Sequence, residues 1–227
     1  MKLIKFDNAR KYYGRVEKYL LQNEAINCLV LASGLSLCDK DCHQAYLALV
    51  KDNQDILATA IHTCDRKLLL SKSMNLSAVK QIAGDLVVDS RSIPGVTAPQ
   101  LEAETFVADW QNRTEQSIEL EMVMSIQQLE KINDIDSAVG KLRLAVLEET
   151  ELLTDWIQAF VKEALGINES KAAMRKWVIR YIEQDSLYVW ENKNQSVSMA
   201  ACGGKTNKGI RVQSIRKSNF LPDKPCP

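Results

Sequence analysis

Histidine is scarce in this chain, with His43 and His62 alone among 227 residues. A histidine general base has few candidates, and no Ser/His/Asp or Cys/His nucleophile signature can be traced. Long apolar runs are missing too. Stretches such as residues 28–32 stop far short of the roughly 18 residues that span a bilayer. The opening MKLIKFDNARKYYGRVEKY becomes charged too soon for a secretory leader. Neither sign of charge prevails, since 29 Lys and Arg face 29 Asp and Glu, so the broad basic field that nucleic acid requires is absent. Glycine is limited to nine residues and proline to five, which, beside 46% hydrophobic and 26% charged residues, excludes a collagenous or disordered chain. The expectation is a cytoplasmic globular protein with no membrane and no nucleic-acid partner, long enough for one large domain or two small ones.

Six cysteines are present. In a cytoplasmic chain they are expected as free thiols. Cys38, Cys42 and His43 together with His62 and Cys64 supply enough N and S ligands for a tetrahedral zinc. However, His62 and Cys64 point to opposite faces if that segment is a strand, so buried structural Cys and His is the better reading and no metal is expected. The basic stretch 192–222, which carries Lys205, Lys208, Arg211, Arg216 and Lys217 and no acidic residue, reads as a solvated face.

Periodicity predicts the elements. Asp7 is a plausible cap for a helix over residues 8–22, with Tyr12, Val16, Tyr19 and Leu20 on one face, and a second helical segment covers 27–37. Two period-2 runs, 45–51 and 56–63, flank the polar turn Asp52-Asn53-Gln54-Asp55 as a hairpin. A short apolar run at 68–70 precedes an amphipathic helix over 76–88, and a helix from Pro99 runs to Asn112. Residues 117–129 alternate through Ile118, Leu120, Met122, Met124 and Ile126, the pattern of a long half-buried strand. A polar linker, 131–140, separates this first unit, 1–130, from a second. The second reads as a strand over 141–146, a helix capped near Glu148 that stops at Gly166, a helix over 169–184, a hairpin over 186–201 and a strand over 208–213. The two hairpins resemble each other, with Gln54 matching Gln195, Ile56 matching Val197 and Ala60 matching Ala201, as one repeated unit per half would give.

KLRLAVLEETELLTDWIQAFVKEALG, KAAMRKWVIRYIEQ and SLYVWENKNQSVSMAACGGKTNKGIRV resemble the GNAT acetyltransferase superfamily. In order and spacing, the chain resembles its bacterial two-unit members, in which a degenerate N-terminal unit precedes a catalytic one. The resemblance implies an α/β (α+β) fold, a mixed and largely antiparallel sheet flanked by helices. It also implies transfer of the acetyl group of acetyl-CoA to a primary amine, a small molecule or a peptide. The helix containing Phe160 and Glu163 would border the acceptor cleft, which makes these two the candidate substrate-binding residues. The catalytic acid and base cannot be named.

The same resemblance implies a fourth strand that feeds a Gln/Arg-x-x-Gly-x-Gly/Ala loop into a helix, whose N–H groups and dipole hold the cofactor pyrophosphate. After Val212 the sequence instead reads QSIRKSNFLPDKPCP, a tail over 214–227 with prolines at 222, 225 and 227. The glycine pair Gly203-Gly204 suits a turn between antiparallel strands. The expectation is thus a partial second unit over 141–213, truncated before the loop, with no cofactor-binding residue to name and no measurable activity. The alternative is a non-catalytic binding or structural protein that self-associates through an exposed sheet edge.

Overall fold

In the structure, a computed structural model, residues 1–39, 44–64, 66–134, 138–166, 168–204, 206 and 209–217 are described, with 213–217 by backbone alone. The chain divides into two compact units at Glu130/Lys131. No helix among the described residues is long and apolar enough to cross a membrane.

The first unit runs β1 (Lys2–Phe6), α1 (Ala9–Leu20), α2 (Cys28–Leu37), β2 (Tyr46–Asp52), β3 (Asp55–His62), β4 (Leu68–Leu70), α3 (Leu76–Val88), β5 (Val96–Thr97) and α4 (Gln100–Thr114). Its sheet has the order β1-β2-β3-β4-β5. Every pairing is antiparallel except β4 with β5, whose parallel alignment needs the crossover that α3 supplies. β2 reads YLALV because both faces of this sheet are covered. Tyr46, Ala48 and Val50 pack with Ala78, Ile82, Leu86, Phe106 and Trp110 of α3 and α4. The alternate residues Leu47 and Leu49 pack with Tyr12, Val16, Leu20, Val30 and Leu31 of α1 and α2.

The second unit runs β6 (Lys141–Leu144), α5 (Thr150–Leu165), α6 (Lys171–Glu183), β7 (Leu187–Asn192), β8 (Gln195–Gly203) and β9 (Arg211–Lys217), in a fully antiparallel sheet ordered β6-β7-β8-β9. Leu187, Val189, Met199 and Ala201 face Leu153, Ile157 and Val178 of α5 and α6. The opposite face presents Leu142 at 60% and Leu144 at 38% exposure. The protein is therefore mixed α/β with antiparallel-dominated sheets.

Each unit opens with the same order: strand, two helices, then three strands. β7 and β8 repeat β2 and β3 down to a shared irregularity. Val50 pairs with Ala58 and Lys51 with Ile56, skipping Leu57, while Trp190 pairs with Ser198 and Glu191 with Ser196, skipping Val197. A bulge at one place in both ladders makes the repeat a matter of backbone geometry. The register corrects the sequence alignment by one residue, since Ile61, not Ala60, takes the place of Ala201.

Other expectations need correction. Residues 117–129 are not a strand and join no ladder. Ile118 packs on the first core and Glu121 pairs with Lys67, but Leu120, Val123 and Leu129 are 82%, 79% and 76% exposed. Alternation requires an edge to pair with, and β5 is only two residues long. β1 has no counterpart in the sequence reading. The cap of α1 is Asn8, whose side chain accepts from Lys11 N at 2.9 Å, rather than Asp7. β9 begins at Arg211 rather than residue 208 and runs to Lys217, into the stretch assigned to the tail. Its ladder also carries an irregularity, as Met199 pairs with Arg216 and Ala201 with Gln213.

Candidate functional site

In the second unit, the element expected to border an acceptor cleft is α5. α5 starts after a 3-10 turn, Leu147–Glu149, and ends at Gly166, whose φ of +68° closes the helix left-handed. Phe160 packs against the core of this unit, while Glu163 is exposed on the same helix. Asp155, Gln158, Ala159, Lys162, Asn168 and Glu169 line a groove of about 380 Å³ beside them. Neither Phe160 nor Glu163 contributes to that lining. Lys171 Nζ lies 2.6 Å from Asp155, and Gln158 donates to Glu169 O at 3.0 Å, so polar groups of the groove are tied to one another.

The strongest charge cluster of this unit is built on Arg143 of β6. Its guanidinium donates to Glu149 at 2.8 and 3.0 Å, to Glu191 at 2.7 Å and to Ser196 at 3.2 Å. Burial pushes the Glu149 carboxyl up, yet the guanidinium, the Ser196 hydroxyl and the Val146 N–H together hold it below the ordinary range. Arg143, and then Lys141, hold Glu191 below it as well. The cluster ties β6, β7 and β8 to the start of α5, which is a structural role. The irregularity between β8 and β9 has a different consequence. It places two β9 residues opposite one β8 residue between the pairs Met199–Arg216 and Ala201–Gln213, which bends the strand locally.

In the first unit, the loop Ser71–Asn75 joins β4 to α3. It contains no glycine and is held from several sides. Asn27 Oδ1 accepts from Lys72 N at 2.8 Å, and Asn27 Nδ2 donates to Leu20 O at 3.0 Å. The Tyr19 hydroxyl lies within hydrogen-bond distance of Lys72 O and Leu57 O, which share its one proton. Burial pushes its phenol up to about 12, with the Ser71 bond opposing. Ser71 N and Thr59 N bond reciprocally across this edge, Ser71 N to Thr59 O and Thr59 N to Ser71 Oγ, each at 3.0 Å. Glu102, in the first turn of α4, is fully buried. Its Oε1 accepts from Ser73 N at 2.8 Å and Ser73 Oγ at 2.9 Å, with Lys72 Nζ 3.3 Å away.

Glu102 was not read from the sequence. An acid three residues into a helix after Pro99 suits the helix dipole whether it is buried or wet. No family model matches the chain, and no curated protein matches it. Among solved structures, it is similar to an acetyltransferase of the GNAT family from Colwellia psychrerythraea, at 11% identity. That likeness covers 89% of this chain and 71% of the other, with a TM-score of 0.38.

Of the zinc ligands weighed from the sequence, Cys42 and His43 lie outside the described residues. Cys38 Sγ donates to Gly34 O at 3.3 Å, and Cys64 Sγ to Gln44 Oε1 at 3.1 Å. His62 is buried, and burial together with the Arg91 charge holds its imidazole below the ordinary range. Among the described residues, no group of three or more His, Cys, Asp or Glu could hold a metal ion. Lys205 and Lys208 also lie outside the described residues.

Proposed function

We propose that this chain is a cytoplasmic protein of the GNAT acetyltransferase type, with acetyl-CoA as cofactor and a primary amine as acceptor. The observation that carries the reading is the order strand, helix, helix and three strands, repeated in both units with the same bulged hairpin. It is the element order on which the sequence resemblance rests. In the reaction of this class, the amine nitrogen attacks the thioester carbonyl and the CoA thiol departs. An amine kept neutral and a donor to the departing sulfur are required. α5, with Phe160 and Glu163, and the irregular β9 are the elements we assign to the acceptor and cofactor sides of the second unit.

The 227 residues contain no Gln/Arg-x-x-Gly-x-Gly/Ala sequence. Without two or three charge-assisted bonds to the pyrophosphate, each about 1.5 to 3 kcal/mol, cofactor affinity falls by several kcal/mol. The 227-residue polypeptide alone is therefore expected to transfer no acetyl group. Calorimetric titration of acetyl-CoA into it is the test, and saturable micromolar binding would overturn the inactive reading. The second reading, a non-catalytic protein that self-associates through a sheet edge, draws on β6 and β9, the end strands of the second sheet, each paired on one side among the described residues. Sedimentation of the same sample separates the two, because concentration-dependent dimers without acetyl-CoA binding favour the second.

A further inference from the structure

The Glu102 carboxylate is an anomaly as well as a clamp. Its Oε1 takes the Ser73 N–H, the Ser73 hydroxyl and the Lys72 ammonium. Its Oε2 is equally buried and meets no donor among the described residues. A fully buried carboxylate with an idle oxygen is costly, and such groups in a native fold call for a reason. The donors around Oε1 supply one. A backbone N–H, a hydroxyl and an ammonium converging from one short loop form a set suited to any oxyanion, phosphate as much as carboxylate. Tyr19 and Asn27 hold the Lys72 backbone in place from α1 and the turn after it, so the donors are organised before any ligand arrives.

We propose that the β4–α3 loop of the first unit is an oxyanion seat filled by the chain's own Glu102 carboxylate, which closes that unit to phosphorylated ligands. The tethered carboxylate is present at a high effective concentration, and a free anion must displace it and strand a buried charge. Resting on the acetyltransferase reading, this assigns any cofactor binding to the second unit and makes the first a closed copy that serves the fold.

The experiment titrates inorganic pyrophosphate, at constant ionic strength, into the 15N-labelled 227-residue chain and follows the Ser73 amide resonance. In the wild type this resonance stays still. In Glu102→Ala it moves saturably over the same concentration range, because the emptied seat offers its charge-assisted bonds to the anion. In the Glu102→Ala, Lys72→Ala double variant the response is lost. The proposal is overturned by a folded Glu102→Ala chain whose Ser73 amide ignores pyrophosphate, by a wild-type amide that responds, or by a response that survives the loss of Lys72. If Glu102→Ala does not fold, Glu102→Ser carries the test. It also empties the seat but leaves a small polar group in place of the buried carboxylate, and indifference of its Ser73 amide is equally fatal. The readout uses neither acetyl-CoA nor acetyl transfer, so failure of the acetyltransferase reading leaves its result standing, and the reverse holds.

Discussion

Thr59→Val should destabilise the first unit more than its single lost methyl-for-hydroxyl exchange suggests, and Tyr12→Phe should relieve part of the damage. Both residues are fully buried. Thr59 Oγ donates to Ala48 O at 2.7 Å and lies 2.6 Å from the Tyr12 hydroxyl. Burial pushes the Tyr12 phenol far above its ordinary value, with the Thr59 bond opposing, so it stays un-ionised. Valine fills the threonine volume but breaks both bonds and leaves the phenol O–H and the Ala48 carbonyl lobe unpaired away from water. A lost bond costs about 1 kcal/mol and a stranded buried hydroxyl about 1 to 3, so Thr59→Val is expected to cost about 2 to 4 kcal/mol. Tyr12→Phe alone leaves Thr59 bonded to Ala48 and costs about 1 kcal/mol. In the double variant no phenol remains to be stranded, and the cost is expected near 1 to 2 kcal/mol, well below the sum. Against a typical net stability of about 5 to 15 kcal/mol, these differences are measurable. Hydrogen exchange followed by mass spectrometry, on peptides covering β2 and β3 of the intact chain, reads them locally. Strict additivity of the two single costs would refute the reasoning, because it would mean that the stranded hydroxyl contributes nothing.

Gly140 has a φ of +141°, and a Cβ there would come 2.5 Å from Glu191 O and closer still to the Trp190 indole. Gly140→Ala should therefore cost about 2 kcal/mol or more, visible as lost exchange protection in β6 and β7 alone. Glu149 and Glu191 have folded-state carboxyls below the ordinary value of 4.5. Their contribution is complete above that value and lost as pH falls through the depressed folded ones. Arg143→Met should flatten the acid limb of the stability profile of the second unit, and an unchanged limb in pH-dependent denaturation would contradict the assignment. Leu120→Lys and Val123→Lys, at residues 82% and 79% exposed, should leave the monomer within about 0.5 kcal/mol of wild type in urea denaturation.

Both hairpins and α3 were legible along the chain because their signals are local. Alternation on either side of Asn53-Gln54, or of Lys193-Asn194, makes a two-strand ladder from neighbouring residues. In residues 76–88, Ala78, Val79, Ile82, Ala83 and Leu86 recur at helical spacing and all are buried. The repeat was legible as well, but its register was not. The shared bulge at Val50/Lys51 and Trp190/Glu191 shifts one strand by a residue, and only the ladder shows where. Residues 117–129 alternate more regularly than β2, whose first five residues are all buried, yet form no strand. Period 2 states which side chains can share a face, whereas a strand also needs a neighbour of sufficient length to bond.

Glu102 marks the same boundary from the side of the site. Sequence determined that a carboxylate stands in the first turn of α4 and that Lys72 and Ser73 follow the short apolar run of β4. That these residues meet was decided by the parallel pairing of β4 with β5, which is formed between segments remote in sequence. Composition, hairpins and helix faces are written in residues a few positions apart. Burial of a charge, and the donors it finds there, depend on which distant strands lie side by side.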